Sequence, residues 1–362
     1  MIHDDLSSRG TTVQLQSSPR PLLEVKNLKT AFDLAEGRVV AVDGATFTVR
    51  QGETLGIVGE SGCGKSISAR SILRIAGASD KNVDGEILYH RQVGTGAEAR
   101  TEVIDLLRLD PSSKLIREIR GAEIAMIFQE PMTAFSPVHP IGNQIIEGIQ
   151  LHERVSNKEA RRRAIEMLQL VEMPNAERRI DEYPHQLSGG MRQRAMIAMA
   201  LICQPRVLLA DEPTTALDVT TQAQILALLR RLKEELGMSV VMITHDLGVV
   251  AETAQNVAVM YLGRVVETAD VRSLFHDPKH PYTQALLNSI PKMGRHARER
   301  LTPVSGMVPS PYNRPRGCPF HTRCPHAMPG LCNRYEPQPI PVGEGREVSC
   351  FLYGTPDQAE EA

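Results

Sequence analysis

The run Gly59, Glu60, Ser61, Gly62, Cys63, Gly64, Lys65, Ser66 constrains this chain more than any other segment. Two glycines five apart, followed by Lys and Ser, match the phosphate-binding loop pattern. The loop follows the apolar run Thr54-Leu-Gly-Ile-Val58 and opens into Ile67-Ser-Ala-Arg-Ser-Ile-Leu73, a strand–loop–helix setting. Glycines let the backbone wrap round phosphate oxygens, so several N–H groups and a helix N-terminus face the negative charge. On this reading Lys65 bridges the β- and γ-phosphates of a nucleotide, and the Ser66 hydroxyl binds Mg²⁺. Cys63 reads as a small residue tolerated in the loop, whose thiol makes the site open to alkylation with nucleotide protecting it.

The rest of the chain fits an α/β fold around that loop. Ile124-Ala-Met-Ile-Phe128, Val207-Leu-Leu-Ala210 and Val240-Val-Met-Ile243 are short apolar runs suited to parallel strands covered on both faces. Amphipathic helices lie between them, with Ala164, Met167, Leu168 and Val171 on one face and Ile225, Leu228, Leu229, Leu232 and Leu236 on another. Nearer the start, Leu22–Leu28 reads as a strand, and Ala45, Phe47 and Val49 alternate with polar residues as in a half-buried antiparallel sheet. Strands alternating with helices predict a mainly parallel central sheet.

Charge and length bound the rest. The 362 residues carry 41 Lys+Arg against 43 Asp+Glu, a net charge of −2, with 41% hydrophobic residues. This excludes a disordered chain and a protein that binds nucleic acid through overall positive charge. No stretch approaches the ~20 apolar residues of a transmembrane helix, and the N-terminus lacks a secretory pattern. The expected division is a flexible arm at 1–21, a main domain at 22–270, a loop-rich extension at 271–353 and an acidic tail at 354–362. Fourteen of the 24 prolines fall in the last 92 residues, which disfavours long helices and central strands there. Six cysteines in a reducing compartment are not expected to form a disulfide framework.

A second element is Val207-Leu-Leu-Ala-Asp211-Glu212, a buried strand ending in two acids. Asp211 is placed to hold Mg²⁺ and Glu212 to polarise an attacking water. Alone, the pair would equally suit the cap of the next helix. Beside a phosphate loop, the chemical reading gains.

Leu187-Ser188-Gly189-Gly190-Met191, taken with both motifs, resembles the signature of ATP-binding-cassette (ABC) ATPases. The resemblance implies an α/β ABC-type P-loop NTPase with a mainly parallel core sheet, an antiparallel β subdomain, a helical signature subdomain and ATP as substrate. It implies that Ser188, Gly189 and Gly190 cover the γ-phosphate held by a partner subunit's loop in a head-to-tail dimer. Met191 stands where Gln is commonest. Gln129, in Phe128-Gln-Glu-Pro, matches the Q-loop glutamine that senses Mg²⁺ and the water. Asp218, in Ala216-Leu-Asp218, matches the D-loop, and His245 the switch histidine. Phe32 is either the aromatic that stacks on adenine or a core phenylalanine.

Longer segments narrow the resemblance. Glu130-Pro-Met-Thr-Ala-Phe-Ser-Pro, Tyr183-Pro-His-Gln-Leu-Ser-Gly-Gly-Met, Asp211-Glu-Pro-Thr-Thr-Ala-Leu-Asp-Val and His280-Pro-Tyr-Thr-Gln-Ala-Leu are similar to the oligopeptide/dipeptide importer ATPases. That similarity implies import of short peptides through two separate membrane permease subunits. It also implies a second related ATPase subunit, an extracytoplasmic solute-binding protein, and a peripheral place on the cytoplasmic face of the membrane. Relatives that handle nickel, glutathione or antimicrobial peptides share these motifs. The segment Pro131–Ile141 is where the family receives a coupling helix of the permease. One phosphate loop, one signature and no sustained heptads disfavour roles in translation or chromosome structure and repair, and no nucleic-acid partner is expected. The run Arg161-Arg-Arg163 reads as a solvated helix face.

Cys318, Cys324, Cys332 and Cys350 crowd the end of the chain with five, seven and 17 residues between them. No Cys-x-x-Cys pair is present, so zinc, an iron–sulfur cluster and unligated buried thiols all remain open on the residues alone. The family resemblance implies a 4Fe–4S cluster, making the extension a small metal-bound domain. His321 and His326 read as surface residues.

Overall fold

A computed structural model describes residues 20–75, 83–94, 100–290, 304–310 and 312–354. Residues 1–19 of the expected arm (1–21) and 355–362 of the expected tail (354–362) lie outside the described residues, while Pro21 already begins the first strand. The first element is an antiparallel hairpin of β1 (Pro21–Leu34) and β2 (Gly37–Arg50), with Val25 opposite Phe47 and Leu28 opposite Ala45. Asn27, at φ 49°, sits where the register of β1 shifts, as an αL residue does in a bulge. β3 (Thr54–Val58) then runs through the phosphate loop into α1 (Lys65–Ile72). β4 (Val83–Val93) and β5 (Arg100–Asp105) return to the hairpin and complete a four-stranded sheet in the order β2-β1-β4-β5.

The central sheet follows. After α2 (Lys114–Ile119) come β6 (Ile124–Ile127) and the helices α3 (Pro131–Ala134), α4 (Ile141–His152), α5 (Asn157–Leu170), α6 (Ala176–Arg179) and α7 (Gly189–Leu201). β7 (Val207–Asp211), α8 (Val219–Leu236), β8 (Ser239–Ile243), α9 (Leu247–Thr253), β9 (Asn256–Tyr261) and β10 (Arg264–Asp270) complete the core. β9, β3, β8, β7 and β6 are parallel neighbours in that order. Every residue of β3, β6, β7 and β8 is buried, which is why these runs read as unbroken apolar stretches. One core joins both sheets around Ile72 of α1; another gathers Ile145, Ala164, Leu168 and Ala195 of the helical layer against β7 and α8. Arg161, Arg162 and Arg163 pair with Asp181, with Glu159 and Glu166, and with Glu153, an ion-paired surface.

The proline-rich extension opens with α10 (Val271–His276) and α11 (Pro281–Asn288). Its last strands, β11 (Ile340–Gly343) and β12 (Arg346–Val348), add to β10 and lengthen the central sheet to β11-β12-β10-β9-β3-β8-β7-β6. Pro341 lies on the outermost strand, the place in a sheet where proline is tolerated. Tyr282, Phe320 and Phe351 pack with Val259 and Tyr261 in a third apolar cluster, so the extension shares a core with the cassette. Among the described residues no helix is long and apolar enough to cross a membrane.

Candidate nucleotide site and thiol cluster

The phosphate loop is shaped by two glycines that nothing else can replace. Gly59 and Gly64 have φ of 155° and 100°, and a Cβ would lie 2.2 Å from Met260 O at the first and 2.3 Å from Ala41 O at the second. Lys65 is 5% exposed, and its Nζ donates to Gly59 O at 2.8 Å and Glu60 O at 3.0 Å. The ammonium is thus curled over the loop.

Because β3 and β7 both flank β8, the end of β7 delivers Asp211 beside this loop. Ser66 Oγ donates to Asp211 Oδ1 at 2.8 Å. Asp211 is 0% exposed, and its Oδ2 has no partner. A buried carboxylate oxygen left over beside a hydroxyl is the donor set a hard divalent cation takes. Burial holds the Asp211 carboxyl above the usual range, against the opposing pull of Ser66 and Arg70.

Glu212 is the hub of the site. It does not cap a helix: its φ is 46°, and the cap of α8 is Asp218. Its N–H donates to Ile243 O at 2.9 Å. Its Oε2 accepts from Gln129 Nε2 at 3.2 Å and from Thr215 Oγ1 at 2.8 Å, while His245 Nδ1 stands 3.3 Å from Oε1. Burial pushes the carboxyl up, but Thr215 and His245 outweigh it and hold it below the ordinary value. Thr215 was not singled out from the sequence, although a hydroxyl three residues after the acid was a usable signal.

The structure therefore brings Lys65, Ser66, Gln129, Asp211, Glu212 and His245 together. The remaining expected residues stand apart from them. Ser188 caps α7 by accepting from Met191 N at 3.3 Å, and is exposed. Gly190 has no room for a side chain, since a Cβ would meet Thr221 Cγ2 at 2.9 Å, while Gly189 is less tightly packed. Asp218 accepts from Thr221 N–H and Oγ1, at 2.9 and 2.7 Å, next to Val219, which is 84% exposed. Phe32 is half-buried opposite Val39 in the hairpin. Among the described residues no hydrogen bond links any of these to the phosphate loop. Cys63 corrects an expectation: it is buried, and burial raises its thiol despite Lys65 nearby, so it is a poor target for alkylation.

In the extension, Cys318, Cys324, Cys332 and Cys350 line one small cavity beside His280 and Phe320. All four are free thiols. Burial, followed by the neighbouring thiols, pushes Cys318 up to about 12, and Cys350 rises to about 11. His321 Nδ1 lies 2.8 Å from Cys318 O and is engaged there, and His326 is exposed. Among the described residues no group of three or more His, Cys, Asp or Glu is placed to hold a metal ion, so the expected metal-bound character of the extension is not part of the observed fold.

Residues 42–215 match the ABC transporter family, and residues 266–332 match the C-terminal region of oligopeptide/dipeptide transporters. A probable peptide ABC transporter ATP-binding protein of Sinorhizobium fredii is 50% identical over 94% of this chain and 98% of its own length. The chain belongs to the ATP-binding subunits of the oligopeptide/dipeptide ABC transporter family. This ABC ATPase is also 46% identical to a dipeptide transport ATP-binding protein of Bacillus subtilis, over 91% of the chain and 94% of the relative. A dimeric ATP-binding cassette in a post-hydrolysis state, bound to ADP and Pi, superposes with a TM-score of 0.58 at 29% identity, covering 69% of this chain and 99% of that one. The chain therefore has the ABC ATPase fold, with its antiparallel and helical parts, and the reaction is ATP hydrolysis.

Proposed function

We propose that the chain hydrolyses ATP to drive import of di- and oligopeptides through two separate membrane permease subunits. One combination carries this reading: the Glu212 site and a C-terminal region of the oligopeptide/dipeptide type occur on the same chain. The relatives named for peptide and dipeptide transport support the substrate class. The chain works as a peripheral subunit on the cytoplasmic face of the membrane, paired with a second related ATPase and served by an extracytoplasmic solute-binding protein.

Each residue has a task in that reaction. Gly59 to Gly64 wrap the phosphates, Lys65 neutralises the β- and γ-phosphates, and Phe32 stacks on adenine. Ser66 and Asp211, with Gln129, would hold Mg²⁺, which would supply positive charge to the phosphate oxygens. Glu212 accepts a proton from the attacking water, His245 orients the γ-phosphate, and Gln129 registers that both are in place. Ser188, Gly189, Gly190 and Asp218 act on the partner subunit's nucleotide. The exposure of Ser188 and Asp218 supports this, because an exposed signature serine and an exposed Val219 suit an interface completed by a second subunit.

The four extension cysteines hold a 4Fe–4S cluster. Four cysteines among the residues lining one small cavity support this reading by residue type, and a bound cluster would staple a proline-rich segment. Zinc is the alternative occupant.

Purification of the subunit from membranes tests the proposal. Recovery with two permeases, and ATP turnover stimulated by a peptide-loaded binding protein, supports it. Stimulation by nickel or glutathione instead replaces the substrate. Recovery with DNA or ribosomes and no permease overturns the transport role.

A further inference from the structure

The extension grips one residue of the phosphate loop by both backbone and side chain. Glu60 N–H donates to the Tyr282 hydroxyl at 2.9 Å. The Glu60 carboxylate accepts from Arg323, with 2.7 Å from Nη1 to Oε2 and 3.0 Å from Nη2 to Oε1. This is the bidentate fork that makes guanidinium–carboxylate pairs strong. Glu60 O in turn accepts from Lys65 Nζ at 3.0 Å. A continuous path of contacts therefore runs from the extension, through Glu60, to the lysine of the loop.

Arg323 is held in this position from every side. Its side chain is 3% exposed. Its other donors reach Ser305 O at 2.9 Å, Val304 O at 3.3 Å and the Tyr261 hydroxyl at 3.3 Å, so all five guanidinium N–H groups are used. The guanidinium lies 5.7 and 5.9 Å from the ring centres of Tyr261 and Phe320. Those rings pack on Tyr282 at 4.7 and 5.3 Å. The two groups that touch Glu60 thus belong to one buried unit.

We propose that Arg323 and Tyr282 are positioning residues for ATP, through which the C-terminal extension sets nucleotide affinity. A loop that must receive a triphosphate carries an acid as its second residue, and a free carboxylate there repels the ligand. Arg323 cancels that charge where little water screens it, and Tyr282 fixes the turn of the Glu60 peptide. The phosphate loop adopts its binding shape when the extension is seated. Arg323 directly precedes Cys324, and Phe320 lines the thiol cavity, so the segment that carries the thiols also carries the clamp.

The inference rests on the ATPase reading of this loop, and it is read in affinity rather than turnover, so the two fail separately. In the full-length chain, Arg323→Ala is expected to weaken MgATP binding about tenfold. Adding Glu60→Gln to it, which removes the exposed charge, should bring Kd back to within about threefold of the unmodified protein. In the assembled transporter the single change should raise KM with kcat altered by less than about twofold. Unchanged affinity in Arg323→Ala overturns the proposal. So does a loss that Glu60→Gln leaves uncorrected, because that is the signature of a merely structural residue. If Arg323→Ala does not fold, Tyr282→Phe decides, since it keeps the ring packing and deletes only the hydroxyl. Weakening of about threefold supports the proposal, and an unchanged Kd overturns it.

Discussion

Glu212 and His245 face each other at 3.3 Å, from Oε1 to Nδ1, while the other Glu212 oxygen is held by Gln129 and Thr215. A carboxylate fixed on both oxygens, on a residue with φ of 46°, is aimed rather than free to rotate. Glu212→Gln keeps the size and the acceptor but cannot take a proton. It should leave MgATP affinity near its normal value and lower turnover by about two orders of magnitude or more. Phosphate release and nucleotide retention, measured on the assembled transporter, check this. Near-normal hydrolysis would remove Glu212 from the base role.

Thr215 gives the same carboxylate a pH signature. Burial acts to raise Glu212, and the hydrogen bond from Thr215 is the largest opposing influence. With the folded value depressed, Glu212 is ionised at neutral and mildly acid pH. The stability this contributes is present above the unfolded value and lost as pH falls through the folded one. Thr215→Val removes the donor with little change of volume. Its acid limb in a plot of kcat against pH should move to higher pH than that of the unmodified protein. Coincident limbs would show that Thr215 does not tune the base.

Much of this site is legible in the sequence, because its parts are local strings. The loop from Gly59 to Ser66 and the acids at the end of an apolar strand carry their chemistry in residue type and order. What joins them is topological: β3 and β7 meet Asp211 and Ser66 only because β8 lies between the two strands. Thr215 escaped notice because a threonine three residues past an acid has many ordinary uses, and only the 2.8 Å contact singles it out. The clamp on Glu60 was illegible for a stronger reason. Arg323 lies 263 residues from its partner, and no periodicity or spacing relates residues so far apart. The proline count disfavours central strands in the extension, yet β12 is paired on both sides, between β10 and the edge strand β11, and joins that segment to the central sheet.

Asp211 should trade stability for function. Its folded value is raised by burial, so the ionised form weakens the metal-free fold. The corresponding stability is present below the unfolded value and lost as pH rises through the folded one. Asp211→Asn keeps an acceptor for Ser66 and removes the buried charge. The metal-free variant should melt at a higher temperature than the unmodified protein at pH 7, with the gap closing toward acid pH. Its Mg²⁺-dependent turnover should fall about a hundredfold. A lower Tm at pH 7 would contradict the burial argument.

Cys63 should be a slow thiol. It is 3% exposed, and burial raises it more than Lys65 lowers it, so thiolate is scarce at neutral pH. N-ethylmaleimide at pH 7 should modify Cys63 at least about tenfold more slowly than a free cysteine in solution. Raising the pH should speed the reaction, and unfolding should abolish the difference. Rapid labelling of the native chain that MgATP suppresses would restore the reactive reading of this thiol.

The extension cysteines offer a test in which composition and stability are measured on the same samples. Cys318, Cys324, Cys332 and Cys350 stand around one cavity, and burial together with mutual repulsion keeps the first and last protonated when no cation is near. A bound cation reverses that balance, because thiolate ligation releases the protons. Protein prepared without oxygen should contain iron and acid-labile sulfide in equal amounts, about four of each per chain. Cys→Ser at any one of the four should strip them and lower Tm by about 5 °C or more. Stoichiometric zinc without sulfide would replace the cluster by a zinc site and leave the stapling role intact. Full iron retention in all four variants would instead mean that the thiols are not ligands, and that His280, Phe320 and their neighbours hold the segment by packing alone.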